Sequence, residues 1–100
     1  AYDTTFAIGT GANGIVWDVA LQTNGQAIIV GSFTSYNGTT RNRVARLTTA
    51  GAVDTGFMNT GTGASSDVLA VAIDSAGRPV IAGLFTTFHG TARAQVARLT

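Results

Sequence analysis

The sequence repeats itself with a spacing of 52 residues. Residues 10–48 align with residues 62–100 without a gap, and about half of the aligned positions are identical. A period near 50 residues is typical of repeat architectures, in which each repeat is one supersecondary unit. We therefore divide the chain into repeat 1, about residues 1–51, and repeat 2, about residues 52–100.

The spacing changes to 51 residues in the first few positions of each repeat. Asp3 and Phe6 align with Asp54 and Phe57, so one residue is gained between Phe57 and Thr62. An insertion between otherwise matching repeats is tolerated best in a connecting loop. We expect a loop at this point.

Residue usage and alternation predict strands throughout. The chain has no Lys and no Glu, which are good helix formers, whereas Thr is abundant and hydrophobic residues make up 45%. Apolar residues alternate with period two, which predicts the four strands of a complete blade at residues 16–21, 27–33, 43–48 and 52–57. The last of these has its counterpart at residues 1–6. Both faces of these strands are mostly apolar, so we expect packing on both sides.

Glycines mark the first hairpin of each repeat. Gly25 follows Asn24, and Gly77 occupies the equivalent position in repeat 2. Asn-Gly between alternating segments is a strong hairpin signal because both residues tolerate positive φ. Trp17, which stands where repeat 2 has Leu69, is expected to fill space between repeats.

These features predict an all-β fold made of β-propeller blades, with four short antiparallel strands in each. Two blades are too few for a ring, since propellers typically have four to eight. The chain either closes a ring by oligomerisation or forms part of a longer chain. It starts with a fourth strand, residues 1–6, and stops after a third. We therefore expect strand exchange between copies, with a trimer of six blades or a tetramer of eight.

The sequence resembles the bacterial delta-60 repeat β-propellers. Three motifs carry the resemblance in repeat 1, with counterparts in repeat 2: Asp3-Thr4-Thr5-Phe6, Gly31-Ser32-Phe33-Thr34 and Val44-Ala45-Arg46-Leu47. The resemblance implies a secreted or cell-surface bacterial protein. It implies no catalytic residue.

Charge and length exclude several kinds of partner. The net charge is +1, too small to attract nucleic acid, and no apolar run is long enough for membrane insertion. One His and five scattered Asp residues form no catalytic constellation, so we expect no enzyme activity. His89 lacks neighbouring ligands, so no metal and no cofactor are expected.

The loop after the second strand is the candidate ligand site. Tyr36 and Asn37 in repeat 1, and Phe88 and His89 in repeat 2, place an aromatic ring beside a polar group. Such a pair could bind carbohydrate, because the ring stacks on the sugar while the polar group bonds its hydroxyls. The alternative is that the ring closes the blade edge.

Charged residues recur at the same phase of both repeats. Arg46 and Arg98 lie in the third strands, and Asp3 and Asp54 lie in the fourth. This predicts structural ion pairs or strand-end clamps, and an anion site is the alternative. The function expected from the whole sequence is a non-catalytic scaffold or surface interaction module, with glycan binding as one version. The alternative is a purely structural unit that assembles into a ring without a ligand.

Overall fold

A computed structural model describes residues 11–57 and 62–99 of the chain. The described part is all-β and contains no helix. The predicted strand at residues 1–6, with Asp3, lies outside the described residues, as do residues 58–61 of the predicted loop. The strands are β1 Val16–Leu21, β2 Ala27–Gly31, β3 Ser35–Tyr36, β4 Thr39–Thr40, β5 Val44–Leu47, β6 Val68–Ile73, β7 Pro79–Gly83, β8 Thr87–Phe88, β9 Thr91–Ala92 and β10 Val96–Arg98.

The two repeats form two antiparallel sheets of the same topology. Strands β1, β2 and β5 lie side by side in that order, and β6, β7 and β10 do the same in repeat 2. The predicted fold class is thereby confirmed, because each repeat folds into a small blade-like sheet. The predicted strand at residues 52–57 is shorter than expected: only Val53 bridges to Leu47, with Asp54 N donating to Arg46 O at 2.7 Å.

Two kinds of turn connect the strands. The β1–β2 hairpin has a three-residue turn, closed by Gln22 N donating to Gln26 O at 2.8 Å, and Gly25 takes φ 88°. The two-residue turn lies further on, between β3 and β4, where Asn37 has φ 51° and Gly38 has φ 81°. Positive φ at both central residues defines a type I′ turn. The predicted candidate loop is therefore itself a small hairpin, and His89 occupies the same turn in repeat 2.

A bulge in the first strand of each sheet brings two backbones close together. The register of β1 against β2 shifts between Val16 and Asp18, and Ser32 N donates to Ile15 O at 2.9 Å. An added Cβ on Gly31 would lie 2.0 Å from Ile15 O, and one on Gly83 would lie 2.3 Å from the equivalent Asp67 O. The glycine of the repeated Gly-x-Phe-Thr motif is therefore required by this close approach.

The main core lies between the two sheets. Strands β1 and β2 pack against β6. The two sheets use different faces for this contact, because the side of blade 1 that faces blade 2 is not the equivalent of the side of blade 2 that faces blade 1. The buried side chains of this core are Ile28, Val30, Val44, Phe57, Ala64, Val68, Val71, Ile81, Phe85, Phe88, Ala97 and Leu99. A second cluster lies on the other side of the first sheet and consists of Ala27, Ile29, Phe33, Tyr36, Ala45 and Leu47.

Candidate functional site

The aromatic rings of the predicted ligand site are buried. Tyr36 is 4% exposed and lies in the second cluster, and Phe88 is 7% exposed and lies in the main core between the sheets. Phe88 also packs edge-on against Phe85, with 6.4 Å between ring centroids. Sugar stacking requires an open ring face. The burial therefore favours the alternative interpretation, in which the ring closes the blade edge.

The polar neighbours of these rings hold the start of each repeat in place. Asn37 N donates to Gly11 O at 2.7 Å, and His89 N donates to Gly63 O at 2.9 Å. His89 also accepts a hydrogen bond at Nδ1 from Gly63 N, at 3.0 Å. This geometry requires a neutral imidazole with its proton on Nε2. His89 thus serves as a two-point clamp on the backbone of Gly63.

Arg46 and Asp54 form an ion pair at the edge of the first blade. Arg46 Nε lies 2.8 Å from Asp54 Oδ2, and both side chains are partly buried. The guanidinium carbon of Arg46 also lies 4.7 Å from the centre of the Phe57 ring, within cation–π range. The Asp54 carboxylate further accepts hydrogen bonds from Gly56 N and the Gln26 amide, each at 3.0 Å. These donors stabilise its charged form and give the pair a structural role.

Arg98 has a different partner in the described part of repeat 2. Its Nη1 lies 3.7 Å from Asp74 Oδ2, and Arg78 Nε lies 3.1 Å from the same oxygen. Asp3 is the repeat equivalent of Asp54, so it is the partner expected for Arg98, but it lies outside the described residues. Asp74 follows the first strand of its blade, where repeat 1 has Gln22. Within the described residues, Arg46 and Arg98 therefore pair with aspartates at different positions of their repeats.

Four side chains of blade 1 form hydrogen bonds across the boundary to blade 2. Asn42 Nδ2 donates to Thr62 O at 2.9 Å. Asp18 Oδ2 accepts from Val71 N at 3.0 Å, and Gln22 Nε2 donates to Gly77 O at 3.0 Å. Arg43 Nη1 donates to Ala64 O at 2.9 Å. Sequence reasoning missed these contacts. The one available signal was Asp18 itself, the single acid in an otherwise apolar strand.

Each blade has one outward side that the other blade does not cover. Face one is the exposed apolar stripe along β1: Ile15, Val16, Val19 and Leu21. Face two is the outer side of the second sheet: Ala70, Ala72, Val80, Ala82 and Val96. Trp17, predicted to fill space between blades, is 51% exposed, and its equivalent Leu69 is 42% exposed, so this position lies outside the contact between the blades.

Three pairs of equivalent valines differ in exposure according to whether the other blade packs against them. Val19 is 55% exposed, but its equivalent Val71 is 9% exposed because it faces the other blade. Val16 and Val68 differ in the same way, at 42% and 0%. On the opposite side, Val96 is 57% exposed and its equivalent Val44 is 0% exposed. Faces one and two are therefore the two halves of the internal blade contact, each without its counterpart.

Residues 11–57 and 62–99 lack two further kinds of feature. This part of the chain holds no group of three or more His, Asp or Glu residues arranged to bind a metal ion. It also holds no helix long and apolar enough to cross a membrane.

The comparisons with known proteins point to the same architecture. Residues 22–57, about a third of the chain, match a family model described as "Domain of unknown function (DUF5122) beta-propeller". The matched segment begins at the β1–β2 turn and ends at Phe57, so it spans most of one blade. Searches of the curated proteins and of the solved structures found no match. Together with the repeated antiparallel sheets, the family match supports a β-propeller repeat.

Proposed function

We propose that the chain is a non-catalytic β-propeller scaffold whose two blades pack against further blades on both sides. The observation that carries this proposal is the contrast between equivalent valines. Val71 and Val44 are buried where the two blades meet, and Val19 and Val96 are exposed where they do not. Contiguous apolar surface on a soluble protein marks an interaction site.

The chemistry of the described side chains supports a structural role. Asp54 and Asp74 are engaged by arginines, and Asp18 bridges two backbone N–H groups. His89, the single histidine of the sequence, is held by Gly63. General acid–base catalysis needs a titratable group facing a substrate cleft. These groups instead bond to their own fold.

The ligand-free version of the scaffold is favoured over glycan binding. The rings of Tyr36 and Phe88 lie in the core, and the turns beside them bind the backbone of neighbouring segments. A glycan array should therefore show no binding above background.

Joining copies of the sequence into one polypeptide tests the scaffold function. The linker should be Thr-Ala-Gly, the tripeptide at residues 49–51 that connects equivalent strands within the chain. Three or four linked copies should unfold in one cooperative transition, at a higher temperature than a single copy, because every face then has a neighbour. A linked polypeptide carrying Val96→Arg in each copy is the control. If the linked copies melt like the single chain, the scaffold proposal is wrong.

A further inference from the structure

A comparison of faces one and two with the buried surfaces of the internal blade contact indicates which partner fits them. Several positions are unchanged between the free and the buried versions: Val16 and Val68, Val19 and Val71, Ala72 and Ala20, Val96 and Val44. A partner for either face must therefore resemble a blade of this same chain.

The remaining positions differ in size on one face only. Face two is smaller than its buried equivalent, because Ala70, Val80 and Ala82 stand where blade 1 has Asp18, Ile28 and Val30. Face one keeps its size, because Val16, Val19 and Leu21 stand where blade 2 has Val68, Val71 and Ile73. Side chains at a packed contact must fit without overlap, and face two places no bulkier side chain in the way of face one.

Charge does not oppose this pairing. The carboxylate of Asp18, the acid within β1, is directed to the blade 2 side, where it accepts from Val71 N. On the face two side, Arg98 lies at the margin and is within 3.7 Å of Asp74 Oδ2. Bringing the two faces together therefore buries no like-charged pair of described residues.

We infer that face one of one chain docks on face two of a second copy, head to tail, and so repeats the internal blade contact. This inference rests on the proposed scaffold function and names its partner. A contact between two different faces is heterologous, and it closes into a ring when the rotation per chain is a whole fraction of a turn. Three chains give six blades and four chains give eight, both within the usual range for propellers.

The test uses one charge substitution on each face. Leu21→Arg changes face one, and Val96→Arg changes face two; the two residues are 73% and 57% exposed in the single chain, so both variants should fold. Native mass spectrometry and light scattering should give the parent a mass of three or four times 10.2 kDa. Each variant alone should be a monomer. Thr23→Arg, in the exposed β1–β2 turn, is the matched control and should keep the parent mass.

Mixing the two variants identifies the contact as heterologous. The Val96→Arg chain keeps face one, and the Leu21→Arg chain keeps face two, so an equimolar mixture should form a dimer of twice 10.2 kDa and nothing larger. A dimer in the mixture also shows that both variants are folded. A mixture that stays monomeric, or a parent that is monomeric, overturns the inference.

The failure of this inference can be told apart from failure of the scaffold function. If the parent is a monomer while the linked copies unfold cooperatively, the scaffold stands and docking of a second copy is wrong. The faces would then be covered by blades from another polypeptide. If the linked copies gain no stability either, both proposals fail.

Discussion

The carboxylate of Asp18 joins the two blades by accepting a hydrogen bond at Oδ2 from Val71 N, at 3.0 Å. Its other oxygen, Oδ1, accepts from Val19 N at 2.8 Å. Repeat 2 has Ala70 at the position of Asp18. The polar bridge is therefore specific to the internal contact, where it fixes how β1 lies against β6.

Replacing this carboxylate should weaken the blade contact. Asp18→Ala leaves Val71 N without its acceptor at a partly buried position, which should lower the free energy of unfolding by about 1 to 3 kcal/mol. Urea unfolding followed by circular dichroism measures the change. The control is Asp67→Ala, which removes the same charge from a carboxylate without a hydrogen bond among the described residues. Equal stability of the two variants would contradict the bridging role.

Acid should destabilise the fold through Asp54. Its pKa is lowered from the ordinary 3.8, first by the hydrogen bond from Gly56 N and then by Arg46 and Gln26, while burial opposes the shift. A lowered folded-state pKa means that the unfolded chain binds more protons within that window. The stability from Asp54 is therefore complete above its ordinary pKa and is lost as the pH falls through the lowered value.

The variant Asp54→Asn should show this loss already at neutral pH. We expect the free energy of unfolding to fall by about 1 to 3 kcal/mol, because a charged acceptor is lost from Arg46. Between pH 7 and pH 2, the stability of the variant should also depend less steeply on pH. Urea titrations at several pH values measure both effects, with Asp67→Asn as the control. An unchanged pH slope would mean that Asp54 is not paired in solution.

The repeat and the period-two alternation were sufficient to predict the sheets, because both are local patterns. Alternation also indicated that β1 is apolar on two sides, but it could not show which side another blade covers. Trp17 was therefore placed between blades, whereas both Trp17 and its equivalent Leu69 are exposed. Whether one side of a strand is buried depends on the blade that packs against it, and the local sequence pattern carries no information about that blade.

The candidate site was less predictable because burial decides its chemistry. Tyr36 beside Asn37 gives the same sequence pattern whether the ring faces water or the core. The hydrogen bond from Val71 to Asp18 spans 53 positions and leaves no periodic signal. Arg46 and Asp54 were easier to pair, since adjacent antiparallel strands bring them together across a short turn.

The close approach at Gly31 should make that glycine irreplaceable. Gly31→Ala would place a Cβ 2.0 Å from Ile15 O, so β1 must move, and the expected loss is about 3 kcal/mol or more. Gly77→Ala is the control, because its Cβ would meet nothing within 4 Å and only the positive φ is unfavourable, at about 1 to 2 kcal/mol. Thermal unfolding of both variants should separate them clearly. Similar melting temperatures would show that the bulge relaxes.

His89 should be replaceable by Asn but not by Ala. Repeat 1 has Asn37 at this position with φ 51°, nearly the 52° of His89, so His89→Asn should change stability by less than about 0.5 kcal/mol. His89→Ala leaves Gly63 N without an acceptor and puts Ala at positive φ. Together these effects should cost about 2 to 4 kcal/mol, measured by urea unfolding. Equal stability of the two variants would rule out the clamp on Gly63.

The hydroxyl of Tyr36 should be dispensable for folding. Its oxygen is buried without a hydrogen-bond partner among residues 11–57 and 62–99, and burial raises the pKa of the phenol. Tyr36→Phe removes an unsatisfied polar group and copies Phe88 of repeat 2, so the free energy of unfolding should rise by about 1 kcal/mol. For a domain of this size that corresponds to a melting temperature higher by about 4 to 8 °C. The reciprocal variant Phe88→Tyr should be destabilised, because it buries a new hydroxyl. A lower melting temperature for Tyr36→Phe would mean that the hydroxyl is hydrogen-bonded in solution. The ring would then be less buried than described, and the argument against glycan binding would lose its support.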